Sequence, residues 1–276
     1  MAFYGKTFIF DGVPSETYGL AIYNFDQSVV DSNGGGDIEI ITDQLYRRPV
    51  PYLLGVQQKP VLEFDITFGS ETPLDATTRS IIGKWLFGRT SYKKLQIVQC
   101  DMQDYYYNCF ITESKVKYIG NLAYGVNAHV VCDAPWGWES SKTITKTYSG
   151  GAVSDTINLM NYSSNTDYTY PIITFTLSNL GNYIYLLNTN DPVVPVRQFG
   201  YTSLNALEKI VTDNDKQIIT SYTLSSGSYV ASGLLRVANF TKIWFRMVPG
   251  MNRIQMASNG LTSFQITYQF ARKVGG

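Results

Sequence analysis

Hydrophobic and polar positions alternate along much of this chain. In residues 61–68, Leu62, Phe64, Ile66 and Phe68 fall on one side, and Val61, Glu63, Asp65 and Thr67 on the other. A period of two marks a strand with one buried face. Residues 37–42 alternate in the same way, with Ile38, Ile40 and Thr42 together. Residues 95–98, 105–111 and 126–132 are further strand-like runs. One segment has a different period. Asp75 suits a helix N-cap, and Ile81, Ile82, Trp85 and Leu86 then form a stripe at helical spacing. Gly88 suits the residue just past the helix end. The stripe reads as one helix packed on a β-domain, rather than as a cofactor contact through Trp85.

Residues 140–155 are rich in Ser, Thr, Lys and Gly and poor in apolar side chains, as expected of a linker or an incoming strand. The β-pattern then restarts. Strands are predicted at 173–177, 183–187, 207–212, 217–223 and 243–248. Phe264, Ile266, Tyr268 and Phe270 alternate in the last one. The cluster Asp213-Asn214-Asp215-Lys216 favours a hairpin turn. Short strands separated by turns predict a β-sandwich. The expected organisation is residues 1–139 as one β-domain with a packed helix and residues 140–276 as a sandwich.

Composition sharpens this picture. A chain of 276 residues suits two domains. Charged residues make up only 16%, against roughly 25% in ordinary soluble domains, which favours a surface that partners cover. The 21 tyrosines suit strands and interfaces. Basic and acidic residues balance at 22 each, so phosphate neutralisation is not expected. No secretory leader and no membrane-spanning run is expected. Cys100, Cys109 and Cys132 lack metal-ligand spacing and read as free thiols of a reducing compartment. The sequons at Asn161 and Asn239 read as chance matches.

Candidate chemistry is sparse. His129 is the only histidine, so any Ser-His or Cys-His pair must use it. It lies three residues before Cys132 in a strand, and residues three apart point to opposite faces. Glu63 and Asp65 share a strand face, yet they read as the wet side of a strand and not as an acid pair. Asp213 and Asp215 read as turn residues. The glycines at 34–36 precede a strand and lack the Gly-Lys-Ser/Thr that a phosphate loop requires. No catalytic, cofactor-binding or metal residue is expected, and the chain is not expected to be an enzyme. Trp136 and Trp138 are candidate glycan-stacking or interdomain aromatics, and Trp244 reads as a core residue in a strand.

Several ordered segments resemble the distal tail protein (Dit) family of long-tailed phages. They are Phe8-Ile-Phe-Asp-Gly12, Tyr18-Gly-Leu-Ala-Ile22, Arg47-Arg-Pro-Val-Pro51, residues 62–68, Ile82-Gly-Lys-Trp-Leu-Phe87, Tyr92-Lys-Lys-Leu95, Tyr107-Asn-Cys109 and Val131-Cys-Asp-Ala-Pro-Trp136. In the second half, residues 213–221 and 247–252 continue the likeness. The resemblance implies a mainly β fold, with a tail-tube-like N-terminal domain followed by a galectin-like sandwich. It implies a homo-hexameric ring at the tail tip that joins the tail tube protein to a hub or fibre protein, and to receptor-binding proteins, while DNA passes through. It places the protein in the virion, assembled in the host cytoplasm, with no membrane insertion. Arg47 and Arg48, with the glycines at 34–36, are the candidate inter-subunit segments. The competing expectation is an adsorption protein that recognises host glycans through the sandwich.

Overall fold

The structure, a computed structural model, describes residues 6–23, 38–43, 49–58, 61–99, 103–164, 167–193 and 197–273. The chain divides into two compact units. The first comprises Met1–Ser140 with Ala271–Gly276, and the second Ser141–Phe270. Both are built of strands, as the alternating pattern predicts, and α1 is the one α-helix among the described residues.

The first unit runs β1 (Thr7–Phe10), β2 (Val13–Pro14), β3 (Ala21–Ile22), β4 (Ile38–Asp43), β5 (Tyr52–Gln58), β6 (Glu63–Gly69), α1 (Ala76–Phe87), β7 (Lys93–Val98), β8 (Tyr105–Ile119), β9 (Leu122–Cys132) and β10 (Gly137–Glu139). Its main sheet follows the order β2-β1-β7-β8-β9-β6-β3. One face carries the buried partners of the alternation: Ile66 and Phe68, Leu95 and Ile97, Tyr107 and Cys109, Ala128 and Val130. Helix α1 adds Ile82, Trp85 and Leu86 to that core. Asp75 caps the helix, its Oδ1 accepting from the Thr78 amide at 2.6 Å, which satisfies one of the free amides of the first turn. Trp85 stacks on Phe8 at 5.8 Å and meets Tyr18 at 4.9 Å. Its indole N–H donates to the Phe10 carbonyl at 3.2 Å, so the buried ring leaves no polar atom stranded.

Gly88 ends the helix, as expected, but without a left-handed turn. Its φ is −79°. A Cβ there would sit 2.6 Å from the Lys84 carbonyl oxygen, so the position needs glycine for close approach and not for a positive φ.

The second unit runs β11 (Lys142–Thr147), β12 (Ala152–Asn161), β13 (Ile172–Leu177), β14 (Tyr183–Asn188), β15 (Gln198–Tyr201), β16 (Lys209–Asp213), β17 (Ile218–Ser225), β18 (Ser228–Ala231), β19 (Gly250–Asn259) and β20 (Leu261–Tyr268). A six-stranded sheet, β11-β20-β13-β16-β17-β18, faces a four-stranded one, β12-β19-β14-β15. Phe175, Ile210, Phe264 and Ile266 from the first sheet meet Ile157, Ile184, Phe199 and Ile254 from the second in one core. This is the sandwich that the turn spacing predicts. The turn at 213–216 joins β16 to β17, and the Asp213 carboxylate accepts from the Lys216 amide at 3.0 Å.

Residues 243–248 depart from expectation: they form no ladder strand and make a single bridge, Met247 to Thr169. Side chains take the backbone groups that a neighbouring strand would have taken. Asn214 Oδ1 accepts from the Phe245 amide at 2.8 Å, and Asn252 Oδ1 from the Val248 amide at 2.8 Å. Trp244 packs half-buried against the core from this extended segment.

After β20 the chain returns to the first unit. β21 (Ala271–Arg272) pairs with β10, Gly137 opposite Arg272 and Trp138 opposite Ala271. Arg272 and Glu139 form an ion pair beside this ladder. A linear reading divides the chain once, at 139/140, and carries no signal for this return. The second unit itself begins and ends in one ladder, with Lys142 opposite Tyr268.

Candidate assembly surface

β4 and β5 pair with each other and stand apart from the main sheet. Tyr52, Leu53 and Leu54 are consecutive, so their side chains alternate between the two faces of the hairpin. Ile40 is 64% exposed, Val50 63%, Leu53 64% and Leu54 66%. Ile41 and Tyr52 are exposed as well. An apolar two-stranded ribbon open on both faces is marginal in water on its own. Summed over these six residues, the uncovered surface is about 600 Å², divided between the two faces, or on the order of 300 Å² on each.

A second apolar edge lies at the far end of the β8–β9 hairpin. β8 runs beyond the core, and its last residues, with the start of β9, expose Val116, Tyr118, Ile119 and Leu122 around the Gly120 turn. Ile81 and Phe87 are exposed on the outer side of α1.

The sheet face opposite α1 is polar. His129 Nδ1 lies 2.7 Å from Asp65 Oδ1, and Nε2 lies 3.8 Å from Glu63 Oε2. Glu113 stands opposite His129 on the other neighbouring strand. The ring thus sits between carboxylates. Cys132 is fully buried on the other face, as strand parity predicts. Cys109 stands directly across from it. Burial pushes the Cys109 thiol up to about 12 and raises that of Cys132 further, so both are inert at neutral pH. Among the described residues no cluster of three His, Cys, Asp or Glu side chains is placed to hold a metal.

Trp136 and Trp138 meet edge to face at 5.9 Å. The Trp138 indole donates to Asp133 Oδ1 at 3.3 Å. Arg47, Arg48 and the glycines at 34–36 lie outside the described residues. The apolar hairpin residues that flank Arg47 and Arg48, above all Leu53 and Leu54, were not singled out by sequence reasoning. Their signal was the run of apolar residues after Pro51, which breaks the alternation of a strand with one wet face.

Sequence-family profiles described as the phage tail protein N-terminal domain and the phage tail C-terminal domain match residues 3–134 and 136–268. The chain belongs to this family of phage tail proteins. Among solved structures it is similar to the Dit protein (gp 19.1) of phage SPP1, described as a paradigm of the hub adsorption apparatus in phages infecting Gram-positive bacteria. The TM-score is 0.66 at 12% identity, over 96% of this chain and 98% of that one. Chains of the phage P2 baseplate in its activated conformation match with TM-scores of 0.52 with calcium and 0.51 with strontium, each at 9% identity. The calcium form covers 93% of this chain and 92% of that one, the strontium form 97% and 99%. No curated protein matches in sequence. At these identities the likeness to solved structures is one of fold, and it is the distal-tail fold that the ordered sequence segments predict.

Proposed function

We propose that this chain forms a closed, hexameric ring at the distal end of a phage tail. One side of the ring docks on the tail tube and the other carries the hub or fibre and adsorption proteins, with DNA crossing the centre only during delivery. The observation that carries the proposal is the β4–β5 hairpin, apolar on both faces and uncovered within its own chain. A neighbouring copy seated on each side would cover both faces, and a cyclic arrangement closes without leaving an open edge. Around His129 this face carries Asp65, Glu63 and Glu113, with Lys115 and Lys117 further along β8, so acidic and basic groups offset one another and no strongly cationic surface would hold phosphates in a passage for DNA. The role is structural, not enzymatic. It places the protein in the virion after assembly in the host cytoplasm.

Negative-stain microscopy of the purified protein tests the proposal, with sixfold rings as the expected result. Monomers alone at high concentration, together with no labelled ring at the tail tip of virions, would sink it.

A further inference from the structure

The outward face of the four-stranded sheet in the second unit holds a depression of about 310 Å³. That lies at the lower end of the volumes of small-molecule sites, roughly 300–1,000 Å³. Two rows of residues, each crossing all four strands, run through it, and all of them except Gly200 line it. The first is Ser154, Ala257, Tyr185 and Gly200; the second is Thr156, Gln255, Leu187 and Gln198.

The first row makes a ring platform. A Cβ on Gly200 would fall 2.4 Å from Cδ1 and 3.1 Å from Cε1 of Tyr185. The missing side chain therefore lets the Tyr185 ring lie down against the Gly200 backbone. Ala257, on the other side of Tyr185, is small and leaves the floor open. Tyr183 adds a second ring 5.5 Å away, tilted by 36°.

The second row supplies polar groups. The Gln198 and Gln255 carboxamides and the Ser154 and Thr156 hydroxyls make no side-chain hydrogen bond among the described residues. Each carboxamide offers both donors and acceptors. The one charged residue among those lining the depression, Asp155, is already paired: its carboxylate accepts from Lys146 Nζ at 2.7 Å and from the Tyr148 hydroxyl at 2.8 Å. An aromatic face beside two unpaired carboxamides, with no unpaired charge, matches one ligand chemistry. A pyranose presents a C–H face to the ring and a set of hydroxyls, each both donor and acceptor, to the amides.

We infer that this depression binds a neutral saccharide unit, with Tyr185 as the stacking platform and Gln198 and Gln255 as the hydroxyl-reading groups. The site shares no residue with the β4–β5 hairpin, so ring assembly and sugar binding are lost independently.

The test uses the full-length protein and polymer-displayed glucose, galactose, rhamnose, N-acetylglucosamine and N-acetylgalactosamine on a biolayer sensor, with sialylated and phosphorylated conjugates alongside. Expected is binding to at least one neutral conjugate, competed by the free sugar. Tyr185→Ala weakens it by about tenfold or more, the scale of a lost ring contact plus its buried area, while Tyr185→Phe retains it and Trp138→Ala leaves it unchanged. Should Tyr185→Ala alter the melting temperature, the exposed pair Gln198→Ala and Gln255→Ala decides, with the same loss expected. Silence on every neutral conjugate, binding to the acidic conjugates alone, or binding that survives both sets of substitutions overturns the assignment.

Discussion

Replacing Leu53 and Leu54 together by Thr separates assembly from folding. Each leucine leaves about 65% of its surface uncovered, on the order of 120 Å², which is worth about 3 kcal/mol if a neighbouring copy covers it at ~25 cal/mol/Å². Threonine keeps strand propensity and one methyl, worth about 0.8 kcal/mol. The net loss is then about 2 kcal/mol per site and about 4 kcal/mol per subunit contact. That corresponds to about a thousandfold weaker association. Because neither leucine is buried in its own chain, the folded subunit changes by no more than about 0.5 kcal/mol. Light scattering coupled to size exclusion, run over a concentration series, reads the first quantity, and a urea melt of the dilute protein reads the second. Rings that persist at wild-type concentrations would refute the role given to the hairpin. So would a subunit destabilised by several kcal/mol, since the leucines would then belong to an internal core.

Three further outcomes follow from charges and thiols. Glu208 takes two hydrogen bonds from Arg236, at 2.7 and 2.6 Å, and both are almost fully buried; Glu208→Gln strands the guanidinium and costs about 3–5 kcal/mol in a urea melt, and a loss under 1 kcal/mol contradicts this. The Arg246 guanidinium, paired with Asp191 at 2.7 and 2.9 Å, holds that carboxyl below its ordinary 3.8. A lowered folded-state pKa stabilises above the unfolded value and is lost as pH falls through the carboxylate range. Asp191→Asn is therefore less stable than wild type at pH 7, and the gap closes well below pH 4; a gap independent of pH argues against the pairing. With Cys100 replaced by Ser, a thiol reagent finds no reactive group in the native protein and two in denaturant, because Cys109 and Cys132 are fully buried; rapid native labelling contradicts the burial.

The alternating strands and the Asp75 cap are legible in the sequence because period and capping are local properties. β19 is harder to see. Its inward positions are Asn252, Ile254, Met256 and Ser258, and the two polar ones break the expected alternation. They are tolerated because Asn252 binds the carbonyls of Val248 and Gly250, and Ser258 that of Tyr183. Residues 37–42 show the opposite limit. Their alternation reveals a strand, but period two cannot say whether the apolar face meets the protein's own core or another molecule. In β4, Ile40 and Ile41 meet neither within this chain. The Tyr185 depression was invisible for a further reason. Residues 154–156, 185–187, 198–200 and 255–257 are distant in sequence, and only sheet order brings them into two rows.

The return of the chain into β21 bears on how such a protein can change. The first strand of the second unit starts at Lys142 and its last strand ends at Tyr268, partners in one ladder, while β10 and β21 meet in another, with Gly137 opposite Arg272. Whatever is spliced between β10 and β21 needs only to bring its own two ends to strand spacing, about 5 Å. The segment therefore behaves as a cassette. A crossover that exchanged the codons between Ser140 and Ala271 would replace every residue of the Tyr185 depression in one event. It would leave each strand pair of the first unit untouched, including the pair whose last strand is encoded after the exchange.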